Sequence, residues 1–522
     1  MRKWSRYLVG VVAVTGLFVL ASYAGAETCT LELKRVDLSA RTVSPGQLGS
    51  FLARYSSPQS FFQQLGEPRG VIVGPSSGSR LKFSDVIKKE PGEYVTDTPF
   101  RGVATLGSGH YGFVLDAAPS EKDEKEDDEK ETRDNKAAEK KEENGASLLS
   151  MLGAALAPSA PSPPKNKAVS FTRLYFDLNH NGDLTDDEVI EATASATYSI
   201  FPTVELTIDV DGRKLDYAFT FRVYPRVSSN YAYANAVLNS AAYREGEITL
   251  DGKKRRIVLI DFNSNGRFDD AVSFRTSGGV VSPVMGDALY IDPNSPQISR
   301  SLSGVASGGS QYQVSKLISI DGRFFDLAID PSGETLSLGL TSVPLGYVTN
   351  PNKGFNAVVY GDQGILQISP DDSGKAPIPE GEWRLLSYTI DQTDAIQPEV
   401  EKKDEEKSVL EVLGSALAMP PPPKTRPGPT LVSARTIGDV KPVKVVKGKT
   451  VEMRFGPPYT PKVSAGAIQT GQSAISLSLS LVGIGGEVCS GLSVNGNRPS
   501  APEFTISTKD GEEVAAGKFK YG

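Results

Sequence analysis

Apolar and polar residues alternate along most of this chain, and three of the alternating runs meet at the dipeptide Asp-Gly. Val204 to Val210 reaches Asp211-Gly212 and continues as Lys214 to Phe221. Gly246 to Leu250 reaches Asp251-Gly252 and continues as Arg255 to Ile260, and Val314 to Ile320 reaches Asp321-Gly322 and continues as Phe324 to Ile329. A period of two is the signature of a half-buried strand. Asp-Gly between two such runs predicts a tight hairpin, because a type I′ turn needs positive φ at both central residues. The same reading predicts strands at Leu31 to Val36, Gly70 to Val73, Arg101 to Leu106 and His110 to Leu115, the last two joined by a Gly107-Ser-Gly turn. Further strands are expected at Val169 to Phe176, Phe355 to Tyr360, Gly364 to Ile368, Trp383 to Tyr388, Thr430 to Arg435, Val443 to Phe455, Ala474 to Ile484 and Glu503 to Thr508. Pro58 to Leu65 reads instead as a short helix. The fold class is therefore all-β, with two or more β-sandwich or hairpin-meander units.

Composition interrupts this pattern twice. Glu121 to Asn144 is almost wholly Lys, Glu and Asp, followed by an apolar stretch ending at Ala157 and a Pro-rich run to Pro164. The order recurs as Glu401 to Glu406, Ser408 to Ala418 and Pro420 to Pro423. Ser147-Leu-Leu-x-x-Leu-Gly-x-Ala-Leu-Ala matches Ser408-Val-Leu-x-x-Leu-Gly-x-Ala-Leu-Ala without a gap. Such charged and Pro-rich segments cannot bury enough surface to offset ordering, so 119–168 and 397–428 are expected to be disordered inserts. Each insert falls between two strands that would otherwise form a hairpin. The short amphipathic repeats 147–157 and 408–418 are either low-complexity growth or a docking motif for a protein partner.

The resulting division is 1–26, 27–118 as an N-terminal β-rich unit, the insert 119–168, a hairpin meander over 169–349, and a β-sandwich over 350–522 interrupted at 397–428. Arg2, Lys3 and Arg6 precede the apolar run Leu8 to Leu20, and Ala24-Gly-Ala26 supplies small residues for cleavage. Residues 1–26 thus read as a signal peptide, which implies a secreted, periplasmic or cell-surface protein with no membrane span after cleavage. In an oxidising compartment Cys29 and Cys489 either pair or remain separate small hydrophobes.

Chemistry concentrates in one stretch, Asp177-Leu-Asn-His-Asn-Gly-Asp-Leu-Thr-Asp-Asp-Glu188. Side-chain oxygens recur at its first, third and fifth positions, Gly182 stands sixth for a sharp turn, and Glu188 closes it. This resembles the calcium loop of the EF-hand and dockerin families. The resemblance implies Ca²⁺ held by Asp177, Asn179 and Asn181, the Asp183 carbonyl, Thr185 and Glu188. A second run, Asp261-Phe-Asn-Ser-Asn-Gly-Arg-Phe-Asp-Asp-Ala-Val272, has the same start but ends in Val272. Its implied ligands are Asp261, Asn263, Asn265, the Arg267 carbonyl, and Asp269 or Asp270. The alternative for either run is an Asx-rich turn held by its own side-chain to main-chain hydrogen bonds. Both loops follow strands, which are candidates for neighbours in one sheet. A strand rather than a helix enters each loop, so the expected site is static, unlike the paired helices of calcium sensors.

Other classes have less support. The chain has two histidines, His110 and His180, neither beside a recognisable nucleophile, and a net charge of -7 without a basic patch for nucleic acid. Pro379-Glu-Gly-Glu-Trp-Arg-Leu resembles a strand of transthyretin-like and carboxypeptidase-regulatory-like modules, which implies a C-terminal sandwich and no particular activity. The leading expectation is an exported calcium-binding β protein with a structural or interaction role, non-enzymatic. A carbohydrate-binding protein, which would want exposed aromatic rings on a concave sheet, and a carboxylate-dependent hydrolase are the alternatives.

Overall fold

The structure is a computed structural model that describes residues 25–36, 58–64, 81–117, 170–194, 198–227, 232–277, 280–293, 311–393, 428–438, 440–466 and 475–520. The expected signal segment through residue 24, the strand expected at 70–73, the expected insert 119–168, and the second insert except Gly428 lie outside the described residues, and with them both amphipathic repeats.

The protein is all-β. Its hairpins follow from the alternation. In Val204–Val210 the residues Val204, Leu206, Ile208 and Val210 are buried while Glu205 and Thr207 are exposed. The turn that follows has φ of 52° at Asp211 and 86° at Gly212, and the other two Asp-Gly turns repeat this with 51° and 74°, and 50° and 77°. In all three the strands pair directly across the dipeptide, as Val210 with Arg213, Leu250 with Lys253 and Ile320 with Arg323. The second and third turn tips clasp each other: Arg255 pairs with Asp321, and Arg323 pairs with Asp251.

One core draws on four sheets. The long strand Arg213–Val227 is flanked by Val204–Val210 and Ser199–Ile200 on one edge and by Ala232–Ser240 on the other, with Gln59–Gln64 beyond. A second sheet runs Glu32–Arg35, Ala242–Leu250, Lys253–Ile260, Ala288–Ile291, Gln311–Gln313. A third places Glu27–Thr30 beside Thr335–Leu340, Arg323–Ile329 and Leu317–Ile320. The fourth runs Phe100–Leu106, Gly109–Asp116, Arg173–Phe176, Ile190–Glu191. Residues from Cys29 to Leu338 fill this single core, so segments from 27–118 and from 170–340 are packed together. The first insert is spanned by antiparallel pairing of Asp116 with Arg173.

Pro58 to Leu65 is a correction: Gln59–Gln64 is a strand, antiparallel to Ala232–Ser240. Phe61 and Phe62 point to opposite faces, Phe61 against Phe113 and Phe62 against Tyr233, each at a ring-centroid distance of 4.9 Å. Two aromatic partners on two faces impose a period of two that six residues of weak local propensity do not resist.

A second core forms around Trp383, whose indole N–H donates to the Pro379 carbonyl at 2.8 Å. It lies under an extended sheet ordered Gly364–Ile368, Phe355–Gly361, Gly381–Asp391, Leu431–Arg435, Val488–Ser493, Leu477–Val482, Thr460–Ala465. The second insert is likewise spanned by neighbours, since Asp391 pairs with Leu431. The hairpin from Leu317 to Ile329 serves both cores: Ile318, Ile320 and Phe325 face the first, and Leu317 and Phe324 face the second. Cys29 and Cys489 are free thiols, Cys29 buried in the first core and Cys489 in the extended sheet, so no disulfide joins them. Among the described residues no helix is long and apolar enough to cross a membrane.

Candidate metal centre

The strand Arg173–Phe176 delivers Asp177 into the interior, where its carboxylate is 1 % exposed. The chain then reverses through positive φ at His180 (59°) and Gly182 (79°), so that the Asn181 N–H donates to Asp177 Oδ1 at 2.9 Å and the Gly182 N–H reaches Oδ2 at 3.2 Å. Asn179 and Asn181 accept the amides of Asn181 and Asp183 with their Oδ1 atoms and donate their Nδ2 groups to Asp186.

The second loop is built the same way. Lys253–Ile260 delivers Asp261, fully buried, and the reversal uses positive φ at Ser264 (60°) and Gly266 (78°). Asp261 accepts the Asn265 N–H at 3.1 Å, the Gly266 N–H at 2.8 Å and the Tyr217 hydroxyl at 2.6 Å. Asn263 and Asn265 donate to Asp270 Oδ2 at 3.0 and 2.7 Å. In both loops the eighth residue is apolar and buried, Leu184 or Phe268, and its N–H crosses to another segment, to the Lys89 carbonyl or the Pro331 carbonyl.

A further carboxylate faces the first-position aspartate in each loop. In the first it is Asp187, held by the amides of Leu178 and Asn179, with Oδ2 buried and unpartnered. Burial, and then the nearby Asp177, push its carboxyl up to about 6. In the second it is Asp287, fully buried at the start of another strand. Asp287 accepts the Phe262 N–H at 3.0 Å and the Asp270 N–H at 2.8 Å. Burial pushes the Asp261 and Asp287 carboxyls up, and Asp261 pushes Asp287 further.

The expected ligands divide accordingly. Asp177, Asn179 and Asn181 share one loop wall, as do Asp261, Asn263 and Asn265. The side chains of Asp183 and Thr185 turn outward, where Lys89 Nζ donates to Asp183 Oδ2 at 2.8 Å and to Thr185 Oγ1 at 2.7 Å, so Asp183 is left its carbonyl alone for the loop. The Lys89 hydrogen bond, with help from Thr185, holds the Asp183 carboxyl down to about 2. Glu188 is exposed. Arg267 points away from its loop, paired with Asp269 at 3.0 Å and Asp211 at 2.9 Å, which also removes Asp269 and leaves Asp270 facing inward. Of the two expected alternatives, Asp270 is the one that faces inward; the inward carboxylates outside the expected set are Asp186, Asp187 and Asp287. Aligning the two runs puts an aspartate at the tenth place of both, a usable signal for Asp186. Asp287 has no local signal.

The entering strands lie in different sheets, contrary to the expectation that they are neighbours. What links the loops is the turn of the Phe100–Asp116 hairpin. The Gly107 N–H donates to the Asn265 carbonyl at 2.6 Å, while His180 stacks on Tyr111 at 4.4 Å.

The side-chain donors suit a hard cation: carboxylates and asparagine amides, while the loop's imidazole, His180, stacks on Tyr111. Among the described residues, no Lys or Arg forms an ion pair with Asp177, Asp186, Asp187, Asp261, Asp270 or Asp287; the loop cations are spent on Asp183 and Asp269. Asn263 Oδ1 is buried without a partner, so turning that amide over sacrifices only its bond to Asp270. Among the described residues no three His, Cys, Asp or Glu side chains converge closely enough to hold an ion alone. A cation here would have to draw on asparagine, main-chain or water oxygens as well, the ligand mixture that calcium accepts.

One other concavity is relevant. A groove of about 770 Å³ on the extended sheet is lined by Asn356, Gln367, Ser387, Thr389 and Ser433. Among the described residues that line it, the aromatic ones, Phe355 and Tyr388, are 2 % and 3 % exposed and belong to the core beneath. No family model matches the chain, and no curated protein or solved structure does either.

Proposed function

We propose that this is an exported, calcium-stabilised β protein whose role is structural or one of interaction, at the cell surface, in the periplasm or outside the cell. One observation carries the reading. The same loop is built twice on different sheets, and each copy buries its first aspartate beside a second carboxylate without a compensating cation. Two neighbouring buried carboxylates repel each other and lose hydration, which costs stability unless positive charge or protons are supplied. Bound Ca²⁺ supplies that charge. Asp177, Asn179, Asn181, Asp186 and Asp187 hold it in the first loop, and Asp261, Asn263, Asn265, Asp270 and Asp287 in the second. Strands lock both loops, so calcium acts here as a fastener and not as a trigger of helix opening.

The test is thermal unfolding with calcium against chelator. At an ion concentration ten times Kd, linkage adds about 1.4 kcal/mol per site. The melting temperature rises with 1 mM Ca²⁺ and falls back with excess chelator. A melting temperature that stays constant up to 10 mM Ca²⁺, roughly ten times the weakest extracellular-module affinity, refutes the proposal.

A further inference from the structure

The face of the extended sheet that turns away from the second core is divided in two. One half is apolar and covered. Val358, Tyr360, Ile365 and Leu386 pack with Phe274 and Val281 of the hairpin formed by Ser273–Ser277 and Val280–Val284, and Phe274 stacks on Tyr360 at 4.3 Å. The other half is polar and forms the floor of the groove of about 770 Å³, with Pro283 of the same hairpin at its side.

Strand register builds that floor. Val358 pairs with Gln367 on one side and with Ser387 on the other, and Ser387 pairs with Arg435. The next row holds Asn356, Thr389 and Ser433. Neighbouring strands stand about 4.8 Å apart, so the rows present polar groups at a fixed spacing. Gln367 Nε2 donates to Asn356 Oδ1 at 2.9 Å, and the Thr389 and Ser433 hydroxyls lie 3.1 Å apart. These bonds orient the side chains without exhausting them, because each hydroxyl and each amide both donates and accepts more than once in total. Asn356, Gln367, Ser387, Thr389 and Ser433 are all half-buried, recessed in the groove.

Two observations narrow what fits there. Among the described residues that line the groove only Asp391 and Arg435 carry charge, and Asp391 is engaged by the N–H and hydroxyl of Thr393. The strands Phe355–Gly361, Gly381–Asp391 and Leu431–Arg435 are each paired on both edges, so a peptide has no open edge on this floor to join as an added strand. The floor suits a neutral ligand whose own groups both donate and accept, as sugar hydroxyls do. We propose that this groove binds a neutral oligosaccharide through Asn356, Gln367, Ser387, Thr389 and Ser433, with Arg435 outside the contact set. The aromatic residues lining the groove are buried, so recognition rests on hydrogen bonds and is weak, with a Kd on the order of 1 mM.

The test is saturation-transfer NMR and calorimetry on the intact protein with maltotetraose, cellotetraose and tetra-N-acetylchitotetraose as probes, at about 0.1 and about 0.5 M NaCl. At least one sugar is expected to bind, with a Kd that changes less than about twofold between the two salt concentrations, since a neutral ligand is not screened. Thr389→Val combined with Ser433→Ala removes both members of one hydrogen-bonded pair, a change that leaves no orphaned partner in the sheet. This variant is expected to melt as the native protein does and to bind at least about tenfold more weakly, the loss of one or two hydrogen bonds. If it folds poorly, Asn356→Val combined with Gln367→Met decides, with the same expectation. Arg435→Gln is expected to bind as the native protein does. The inference is overturned if none of the three sugars binds up to about 20 mM, roughly twenty times the expected Kd. It is also overturned if the well-folded double variant binds as tightly as the native protein. Binding that weakens with salt and vanishes in Arg435→Gln would mark an anion site, and preference for the peptide Gly-Ser-Gly-Ser-Gly over all three sugars would mark a peptide site; either result overturns the assignment.

Discussion

Phe113→Ala removes the ring on which the first core converges. Phe113 is fully buried on Gly109–Asp116, with Phe61 and Phe221 at centroid distances of 4.9 Å, Phe100 at 6.2 Å and Phe176 at 6.4 Å. Those four rings belong to four other strands, two of them in the sheet of Arg213–Val227. Gly102, paired with Phe113 across the hairpin, leaves the ring room; a Cβ there would lie 2.3 Å from Cζ. Phe→Ala in a core costs about 3–5 kcal/mol. The upper half of that range applies, because aromatic pairs add about 0.5–1.5 kcal/mol each beyond area and rings fixed on separate strands do not collapse into the gap. The assay is native-state hydrogen exchange, which reads sub-global opening directly. Amides of Phe100–Leu106 and of Ala232–Ser240 should lose protection together, by about three to three and a half powers of ten at roughly 1.4 kcal/mol per decade. Loss confined to Phe100–Asp116, with Ala232–Ser240 unchanged, would show that the N-terminal segment and the meander are separate units.

Two further outcomes test the fold's surface. Replacing 119–168 and 397–427 with short Asn-Gly turns should leave the protein folded and favour the folded state by a few kcal/mol, because loop closure changes by about 0.6 kcal/mol per doubling of length and each loop is halved roughly four to five times, while the flanking strands already pair; loss of soluble protein or a lower melting temperature would contradict this. Gly428 is kept because it packs on Gly496. Arg323→Ala should cost less than about 1 kcal/mol by urea unfolding, since its partnership with Asp251 is solvent-exposed on both sides; a loss above about 2 kcal/mol would mean that the clasped turn tips carry the junction.

What was legible in the sequence was what short segments determine. Asp-Gly between alternating runs demands positive φ, and all three such turns have it. The inserts announced themselves by composition, and the strands on either side pair as a hairpin would. Gln59–Gln64 escaped because its strand character comes from Phe113, Tyr233 and a neighbouring edge, none adjacent in sequence. Within the loops, the first, third and fifth positions lie where spacing puts them, but the closing carboxylates do not follow the twelve-residue rule. Glu188 points to solvent while Asp187 turns in, and the place that Val272 leaves without an acid has Asp287 nearby, folded in from another strand. A carboxylate supplied across a hairpin is a property of the fold and leaves no local pattern.

The most direct measurement of the central claim is a calorimetric titration of the intact protein with CaCl₂ after exhaustive chelation. The account predicts two ions per chain with Kd on the order of 10⁻⁴ to 10⁻³ M, the range of extracellular modules with few charged ligands. Asp177→Ala and Asp261→Ala should each remove one ion and leave the other. No heat of binding, or a stoichiometry unchanged in both variants, would contradict it.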